Sequence, residues 1–197
     1  MNRMEIAVIK YNAGNVGSVV NALGRLGLQA VVTDDPDRIR NASKVIFPGV
    51  GEASSTMAYL EERKLDRLIA SLTQPVLGIC LGMQLMCRWS EEGNTPGLGI
   101  FGEEVKRFRE APKIPHMGWN SIDFNPNEPL FRSIGPGSYF YFVHSFYAEA
   151  GENTIAGCDY GLSFSAALQR DNFYAVQFHP EKSGAGGLQV IHNFLAL

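Results

Sequence analysis

Short apolar runs alternate with helix-like segments through the first half of the chain. The apolar runs, each suited to one buried strand, are 5–10, 30–33, 44–47 and 75–79. Helical patterns lie at about 14–26, from Asp34 or Asp35 across Pro36, at 52–72 and at 83–89. Strands that alternate with helices predict a parallel sheet with right-handed crossovers. Ligands bind beyond the carboxyl ends of such strands, so the glycine turns at 48–51 and 78–82 are expected to be neighbours.

The second half, from about residue 98 to 177, has a different pattern. Glycine and proline interrupt it repeatedly, which predicts short strands joined by tight turns. The predicted elements are an aromatic strand at 139–143, a hairpin of 163–169 with 173–178, and a final helix from about 187 to 195. We find no linker or repeat. The prediction is one α/β domain over 1–197, with a mostly parallel central sheet flanked by helices and an antiparallel, strand-rich second half.

Composition and charge narrow the class of protein. Hydrophobic residues make up 45% and charged residues 19% of the 197-residue chain, and the formal net charge of −3 provides no basic field for nucleic acid. No apolar run approaches the roughly 18 residues of a membrane-spanning helix. The run at 6–9 is too short for a signal peptide. We therefore expect a cytoplasmic protein with no nucleic-acid or membrane partner.

The three cysteines, Cys80, Cys87 and Cys158, are odd in number and have no metal-type spacing. A reduced protein without a metal site is expected. Cys80 and Cys87 are predicted on one helix, separated by roughly 10 Å of rise. A disulfide needs Cα atoms within about 7 Å, so these two cysteines are not expected to pair.

One cysteine stands in a pattern that predicts a nucleophile. Gly78-Ile79-Cys80-Leu81-Gly82 follows a predicted strand and precedes a predicted helix. Strand, glycine-x-nucleophile-x-glycine and helix form a nucleophile elbow, here with cysteine in place of serine. The helix N-terminus lowers the pKa of a thiol placed there. Taken alone, such a cysteine is more often a small buried hydrophobe.

A cysteine nucleophile needs a base, and a third group best orients that base. Among the four histidines, His179 stands before Pro180 and two residues before Glu181. Proline favours an extended conformation at His179, and residues two apart on an extended chain face the same side. We predict that His179 takes the Cys80 proton and that Glu181 holds the imidazole. A plain loop is the alternative for an isolated His-Pro-Glu.

The motifs resemble those of a known family. The segments 48–51, 78–84 and 177–181 together look like the triad-type, or class I, glutamine amidotransferases, which are flavodoxin-like. Details at 115–120, 141–145 and 179–183 are similar to those of the glutaminase subunits of imidazole glycerol phosphate synthases. The resemblance extends from the first strand to the last helix.

The resemblance implies a chemistry. Cys80 attacks the side-chain amide of L-glutamine, His179 protonates the departing ammonia and then activates water, and Glu181 orients His179. The oxyanion would be bound by backbone N–H groups, and the remaining matched positions contact glutamine. Oxyanion donors are expected at Leu81 and at Val50 or Gly51. Substrate contacts are expected at Gly49, Gln84, Glu92, Ser145 and Phe146. Without the resemblance, Gln84 would be a helix-surface residue and Glu92 part of a solvated Glu91-Glu92 pair.

The resemblance also implies a partner. This would be a cyclase with a (β/α)8 barrel, joined in a heterodimer and fed with ammonia to make imidazole glycerol phosphate and an aminoimidazole carboxamide ribotide in histidine biosynthesis. No cofactor is implied. Interface positions are expected at Met117, Trp119, Tyr141 and Lys182, although Trp119 and Tyr141 could equally belong to the core. Three alternatives stay open: an ammonia donor for another pathway, a non-catalytic interaction module, and a thiol peptidase or redox enzyme.

Overall fold

The structure is a computed structural model that describes residues 5–11 and 16–197. Within them the strands are β1 (Ile6–Ile9), β2 (Ala30–Thr33), β3 (Lys44–Gly49), β4 (Val76–Cys80), β5 (Cys87–Ser90), β6 (Thr95–Pro96), β7 (Phe101–Arg107), β8 (His116–Ser121), β9 (Asp123–Phe124), β10 (Tyr139–His144), β11 (Phe146–Ala148), β12 (Thr154–Asp159), β13 (Ser163–Arg170) and β14 (Phe173–Val176). The helices are α1 (Val16–Arg25), α2 (Pro36–Asn41), α3 (Ala53–Glu62), α4 (Leu65–Ala70), α5 (Leu81–Met86) and α6 (Gly184–Leu195).

An eight-stranded sheet organises the fold, in the order β2-β1-β3-β4-β14-β13-β12-β9. The pairs from β2 to β14 are parallel, and those from β14 to β9 are antiparallel. Two smaller sheets, β10-β8 and β11-β7-β5-β6, complete the second half. The predicted α/β class, with its parallel first part and strand-rich second part, is confirmed.

Apolar side chains on the parallel strands alternate between two cores, one on each face of the central sheet. Val8 and Leu77 belong to the core that includes Phe194 of α6, whereas Ala7 and Val76 belong to the core that includes Leu68 of α4. Successive residues of a strand face opposite sides, so a strand covered by helices on both faces is apolar throughout. This explains the short, uninterrupted apolar runs in the sequence.

The prediction of a single helix at 52–72 is wrong, because two helices occupy that segment. The helical conformation is interrupted at Lys64, whose φ of 57° is left-handed, and a new helix starts at Leu65. The change of direction lets both Leu60 of α3 and Leu65 of α4 become fully buried. Burial of two apolar faces thus outweighs the cost of a left-handed lysine, which is of order 1 kcal/mol.

The helix predicted at 83–89 is also too long. It ends at Met86, and Cys87 begins strand β5. The segment 97–99 satisfies the carbonyl groups at this point: Leu98 N donates to Leu85 O at 2.7 Å, and Gly99 N donates to Cys87 O at 3.2 Å. The prediction that Cys80 and Cys87 lie on one helix is therefore wrong. The prediction that they do not pair is confirmed, because all three cysteines are free.

The remaining boundaries agree closely with the predictions. The hairpin of β13 and β14 and the aromatic strand β10 form where expected, and the last helix starts at Gly184 rather than about 187. The predicted start of the first helix includes Gly14 and Asn15, which lie outside the described residues. No helix among the described residues is long and apolar enough to cross a membrane.

Candidate active site

Cys80 stands on a strained elbow between β4 and α5. Its φ of 53° and ψ of −108° are unusual for a residue with a side chain. Gly82 is required by space, because a Cβ there would lie 2.0 Å from the backbone oxygen Phe47 O. A Cβ at Gly78 would lie 2.8 Å from Met86 Sδ, so the Met86 side chain would have to shift. The predicted elbow is therefore present, and its glycines allow α5 to pack tightly against the strands.

His179 and Glu181 form a buried pair next to this elbow. His179 Nδ1 and Glu181 Oε1 are 2.9 Å apart, and each side chain is about 1% exposed. The pair is set by a 3-10 turn at Pro180–Lys182 rather than by the extended strand expected, although His179 itself is extended. His179 N also donates to Tyr141 O at 2.9 Å. This bond ties the imidazole-bearing segment to β10.

The other imidazole nitrogen, His179 Nε2, is buried and makes no hydrogen bond within the described residues. Burial lowers the pKa of His179, but the neighbouring Cys80 sulfur and the Glu181 carboxylate raise the pKa to about 10. An imidazolium next to a thiolate is the ion pair used by cysteine nucleophiles. The structure therefore brings Cys80, His179 and Glu181 together, and their catalytic roles stay a prediction.

A cavity of about 320 Å³ opens over the cysteine, a volume that suits a small ligand. Eight of the predicted residues line it: Val50, Gly51, Cys80, Leu81, Gln84, Glu92, Ser145 and Phe146. Three further residues also line it: Pro115, Val143 and His144. The elbow and the glycine turn at the end of β3 thus meet at one sheet edge, as expected.

The glycine turn supplies candidate oxyanion donors. Leu81 N lies at the start of α5, and Gly51 has a φ of 134°, a conformation that favours glycine. Gly49 does not line the cavity. It packs against the elbow instead, because a Cβ there would lie 2.6 Å from Gly82 N. The structure therefore brings Leu81, Val50 and Gly51 to the cavity and leaves Gly49 behind them.

Two polar residues of the cavity are held by specific hydrogen bonds. Gln84 is buried, and its Nε2 donates to Phe146 O at 2.8 Å and to Gln177 Oε1 at 2.9 Å. Glu92 is partly buried, and its Oε2 accepts from Ala53 N at 2.9 Å. Burial raises the pKa of Glu92, while the bond from Ala53 opposes the shift. Neither residue is the solvated surface group that the alternative interpretation assumed.

Two contacts of the cysteine were not predicted. Cys80 Sγ lies 3.6 Å from Gln177 Nε2 and 4.0 Å from Val143 O. The sequence carries a signal for Gln177, because this residue stands two positions before His179 within the 177–181 motif, but the motif alone predicts no role for it. The Val143 contact depends on how β10 folds over the elbow, which no local pattern indicates.

An exposed apolar patch lies on the β8–β10 ribbon beside the cavity. Met117 is 60% exposed, Trp119 55% and Tyr139 61%. Trp119 pairs with Tyr141 across the ribbon, with ring centroids 6.1 Å apart, and Lys182 Nζ lies 6.0 Å from the Tyr141 ring. The core alternative for Trp119 is therefore wrong, and Tyr141 is half-buried. Tyr139 was not predicted as part of this surface.

No group of three or more His, Cys, Asp or Glu side chains within residues 5–11 and 16–197 is arranged to hold a metal ion. The cavity and the residues beside it offer a thiol, an imidazole, carboxylates and backbone N–H donors. These groups suit attack on an amide or ester carbonyl followed by hydrolysis.

The fold and these groups correspond to one class of protein. The sequence matches the family described as Glutamine amidotransferase class-I over residues 7–197, and the chain belongs to that family.

Individual relatives narrow the comparison. The chain is 57% identical over 197 residues to the imidazole glycerol phosphate synthase subunit HisH of Bacteroides fragilis (strain YCH46), covering 98% of this chain and all of the relative. It is 46% identical to the subunit of the same name from Haemophilus influenzae, covering 98% and 97%. A solved structure titled glutamine amidotransferase has a TM-score of 0.75 at 18% identity, covering 96% and 97%, and supports the fold.

Proposed function

We propose that this protein hydrolyses L-glutamine to glutamate and ammonia, and that it passes the ammonia to a cyclase partner in histidine biosynthesis. The observation that carries the proposal is the buried His179–Glu181 pair beside Cys80, which itself lines a cavity of about 320 Å³. The names of the relatives at 57% and 46% identity support the pathway.

Acylation is the first step. The Cys80 thiolate attacks the side-chain carbonyl carbon of glutamine, and a C–S bond forms while the carbonyl oxygen becomes an oxyanion. The Leu81 N–H, together with an N–H from Val50 or Gly51, stabilises that charge. His179 Nε2, which has no other hydrogen bond, gives its proton to the amide nitrogen as the C–N bond breaks. Ammonia leaves, and a glutamyl thioester remains on Cys80.

Hydrolysis is the second step. The now neutral His179 removes a proton from a water molecule, whose oxygen attacks the thioester carbon. The C–S bond breaks, glutamate leaves, and the thiolate and imidazolium are restored. Glu181 favours the imidazolium at each stage through its bond of 2.9 Å to Nδ1.

Recognition of glutamine falls to the other groups of the cavity. The Glu92 carboxylate suits the α-ammonium group by charge, and Gln84, Ser145 and Phe146 line the space beside it. Both amide protons of Gln84 are used by protein acceptors, so its carbonyl oxygen is the group left for the substrate.

A partner follows from the exposed apolar patch. Met117, Trp119, Tyr139 and Tyr141, with Lys182 beside them, combine aromatic and apolar area with one cation, as a docking surface does. Val143 lines the cavity and belongs to the same ribbon, so a partner bound there would receive ammonia close to where it forms. In detail, we propose a (β/α)8-barrel cyclase in a cytoplasmic heterodimer, with no cofactor on this subunit.

The test is ammonia release from glutamine, measured with and without the cyclase and its phosphoribulosyl ligand. We expect strong stimulation by the partner and loss of release in Cys80→Ala. Release by Cys80→Ala at the wild-type rate would contradict the chemistry. Full activity without any binding to the cyclase would instead contradict the pathway and favour an ammonia donor for another product.

A further inference from the structure

The side-chain amide of Gln177 contacts the sulfur of Cys80, a contact that the Cys80–His179–Glu181 chemistry does not use. Val176 pairs with Ile79 where β14 runs parallel to β4, so Gln177 follows at the sheet edge next to Cys80. The Gln177 side chain is fully buried, and its Nε2 lies 3.6 Å from Cys80 Sγ. Burial of an amide costs free energy unless its polar atoms form hydrogen bonds, so the buried amide of Gln177 needs partners at this position.

The backbone carbonyl of Phe146 determines which end of the Gln177 amide faces the sulfur, through the side chain of Gln84. Phe146 O can only accept hydrogen bonds, and it receives Gln84 Nε2 at 2.8 Å and His144 Nδ1 at 2.7 Å. The Gln84 amide therefore has its NH2 group towards Phe146. The second proton of that group reaches Gln177 Oε1 at 2.9 Å.

With its oxygen fixed on Gln84, Gln177 has to present its NH2 group to the sulfur. The opposite orientation would place Gln177 Oε1 against Cys80 Sγ and bring the NH2 groups of Gln84 and Gln177 face to face. The contact between the two NH2 groups would be repulsive, and so would the contact between Oε1 and the sulfur once the sulfur is a thiolate. The amide orientation thus follows from the pairing of acceptors and donors rather than from a free choice.

We propose that Gln177 is a fourth residue of the active site, a neutral donor that stabilises the Cys80 thiolate and holds its sulfur in position. The inference rests on the proposed function, because it assigns a role in the reaction of that same thiol. His179 supplies the opposite charge and moves the proton. Gln177 supplies a donor that does not titrate, so its support of the thiolate is present at every pH.

The same bond acts at two points of the reaction. Before attack it raises the fraction of Cys80 present as thiolate. In the second step, negative charge returns to the sulfur when the C–S bond of the tetrahedral intermediate breaks. The hydrogen bond from Gln177 stabilises that charge and so favours expulsion of the thiolate. In the thioester itself the sulfur is neutral and the bond is weak, so the donor favours the charged states over the resting acyl-enzyme.

The test uses Gln177→Met, which keeps an unbranched side chain of similar length and removes the donor. Alkylation of Cys80 by iodoacetamide, followed across pH by mapping of the Cys80 peptide, gives the midpoint of thiolate formation without glutamine. We expect the midpoint to rise by about one pH unit, the effect of one lost bond to a charged group. With glutamine and the partner, kcat should fall about 10-fold with little change in KM.

Gln189→Met is the matched control, because Gln189 lies on α6 and donates to Asn193 Oδ1 at 2.8 Å. It should leave the alkylation midpoint where the wild type has it. An unchanged midpoint in a folded Gln177→Met protein would overturn the inference, as would a change confined to KM. A wild-type Cys80 that is not alkylated at any neutral pH would instead overturn the proposed function itself.

A measurement on the intact protein covers the case in which Gln177→Met does not fold. With glutamine side chains labelled with 15N, the Gln177 NH2 resonances should shift with pH at the midpoint found by alkylation, and this shift should vanish in Cys80→Ala. Gln177 resonances that do not respond to ionisation of Cys80 would contradict the proposed bond.

Discussion

Substitution of Gly82 by alanine tests the packing that forms the elbow. A Cβ at this position would lie 2.0 Å from Phe47 O, whereas ordinary contacts begin at 3.4 Å. The elbow and β3 would have to separate by about 1.4 Å to reach that ordinary contact. Phe47 directly precedes the turn at 48–51, so the displacement passes to the candidate oxyanion donors.

The expected loss in the free energy of unfolding can be estimated from other cases of overpacking. Forcing a methyl group into a packed region costs about 1–3 kcal/mol, partly offset by the roughly 1 kcal/mol that alanine gains over glycine in a helix. For a chain of this size about 1 kcal/mol corresponds to about 2–4 °C in Tm, so we expect a fall of several degrees. Loss of an aligned oxyanion donor should lower kcat by about 100-fold.

Thermal unfolding and glutamine turnover with the cyclase measure the two effects. Gly24→Ala is the control, since Gly24 lies in the last turn of α1 and a Cβ there meets nothing within 4 Å. Its Tm should stay equal or rise slightly. If Gly82→Ala kept both the Tm and the kcat of the wild type, the account of the elbow as a close-packed, glycine-dependent structure would be refuted.

Two further predictions concern pH and the partner surface. Burial lowers the pKa of His144 to about 3 and of His116 to about 4, so at these two sites the unfolded chain binds more protons than the folded chain below about pH 6.5. The contribution of this pair to the free energy of unfolding should be present in full above that pH. Denaturant titrations at several pH values should show the free energy falling by at least about 2 kcal/mol from pH 6.5 towards pH 4. An unchanged free energy down to pH 4 would contradict the buried neutral pair. Trp119→Ala should weaken cyclase binding at least about 10-fold, measured by calorimetry, with no loss of Tm. Val32→Ala, at an exposed position on β2, should leave cyclase binding unchanged. Equal affinities of the two variants would show that the patch is not the docking surface.

The sequence predicts the parallel half of the fold well because β1, β3 and β4 are buried along their whole length. Each apolar run at β1 to β4 carries its own signal, and the glycines at 78 and 82 indicate the elbow without any knowledge of the rest. The two helix errors arise from tertiary contacts. The break at Lys64 allows Leu65 to be buried, and the end of α5 is satisfied by the distant segment 97–99.

The candidate site shows the same division. His179 and Glu181 are two residues apart, so their spacing in the sequence predicts that they pair. A 3-10 turn, rather than the expected strand, brings them together. The bridge from Phe146 O through Gln84 to Gln177 joins residues up to 93 positions apart. No periodicity or local motif indicates such a bridge, because it depends on the packing of β11, α5 and the end of β14.

The central claim is that Cys80, assisted by His179, is the nucleophile that attacks glutamine. Its most direct test is to treat the protein–cyclase complex with a glutamine analogue that carries an electrophilic group in place of the amide, and to locate the adduct by peptide mass mapping. We expect a single adduct on Cys80, prevented by excess glutamine and formed much more slowly in His179→Asn. An adduct on Cys87 or Cys158, or one that forms on Cys80 at the same rate without His179, would contradict the account.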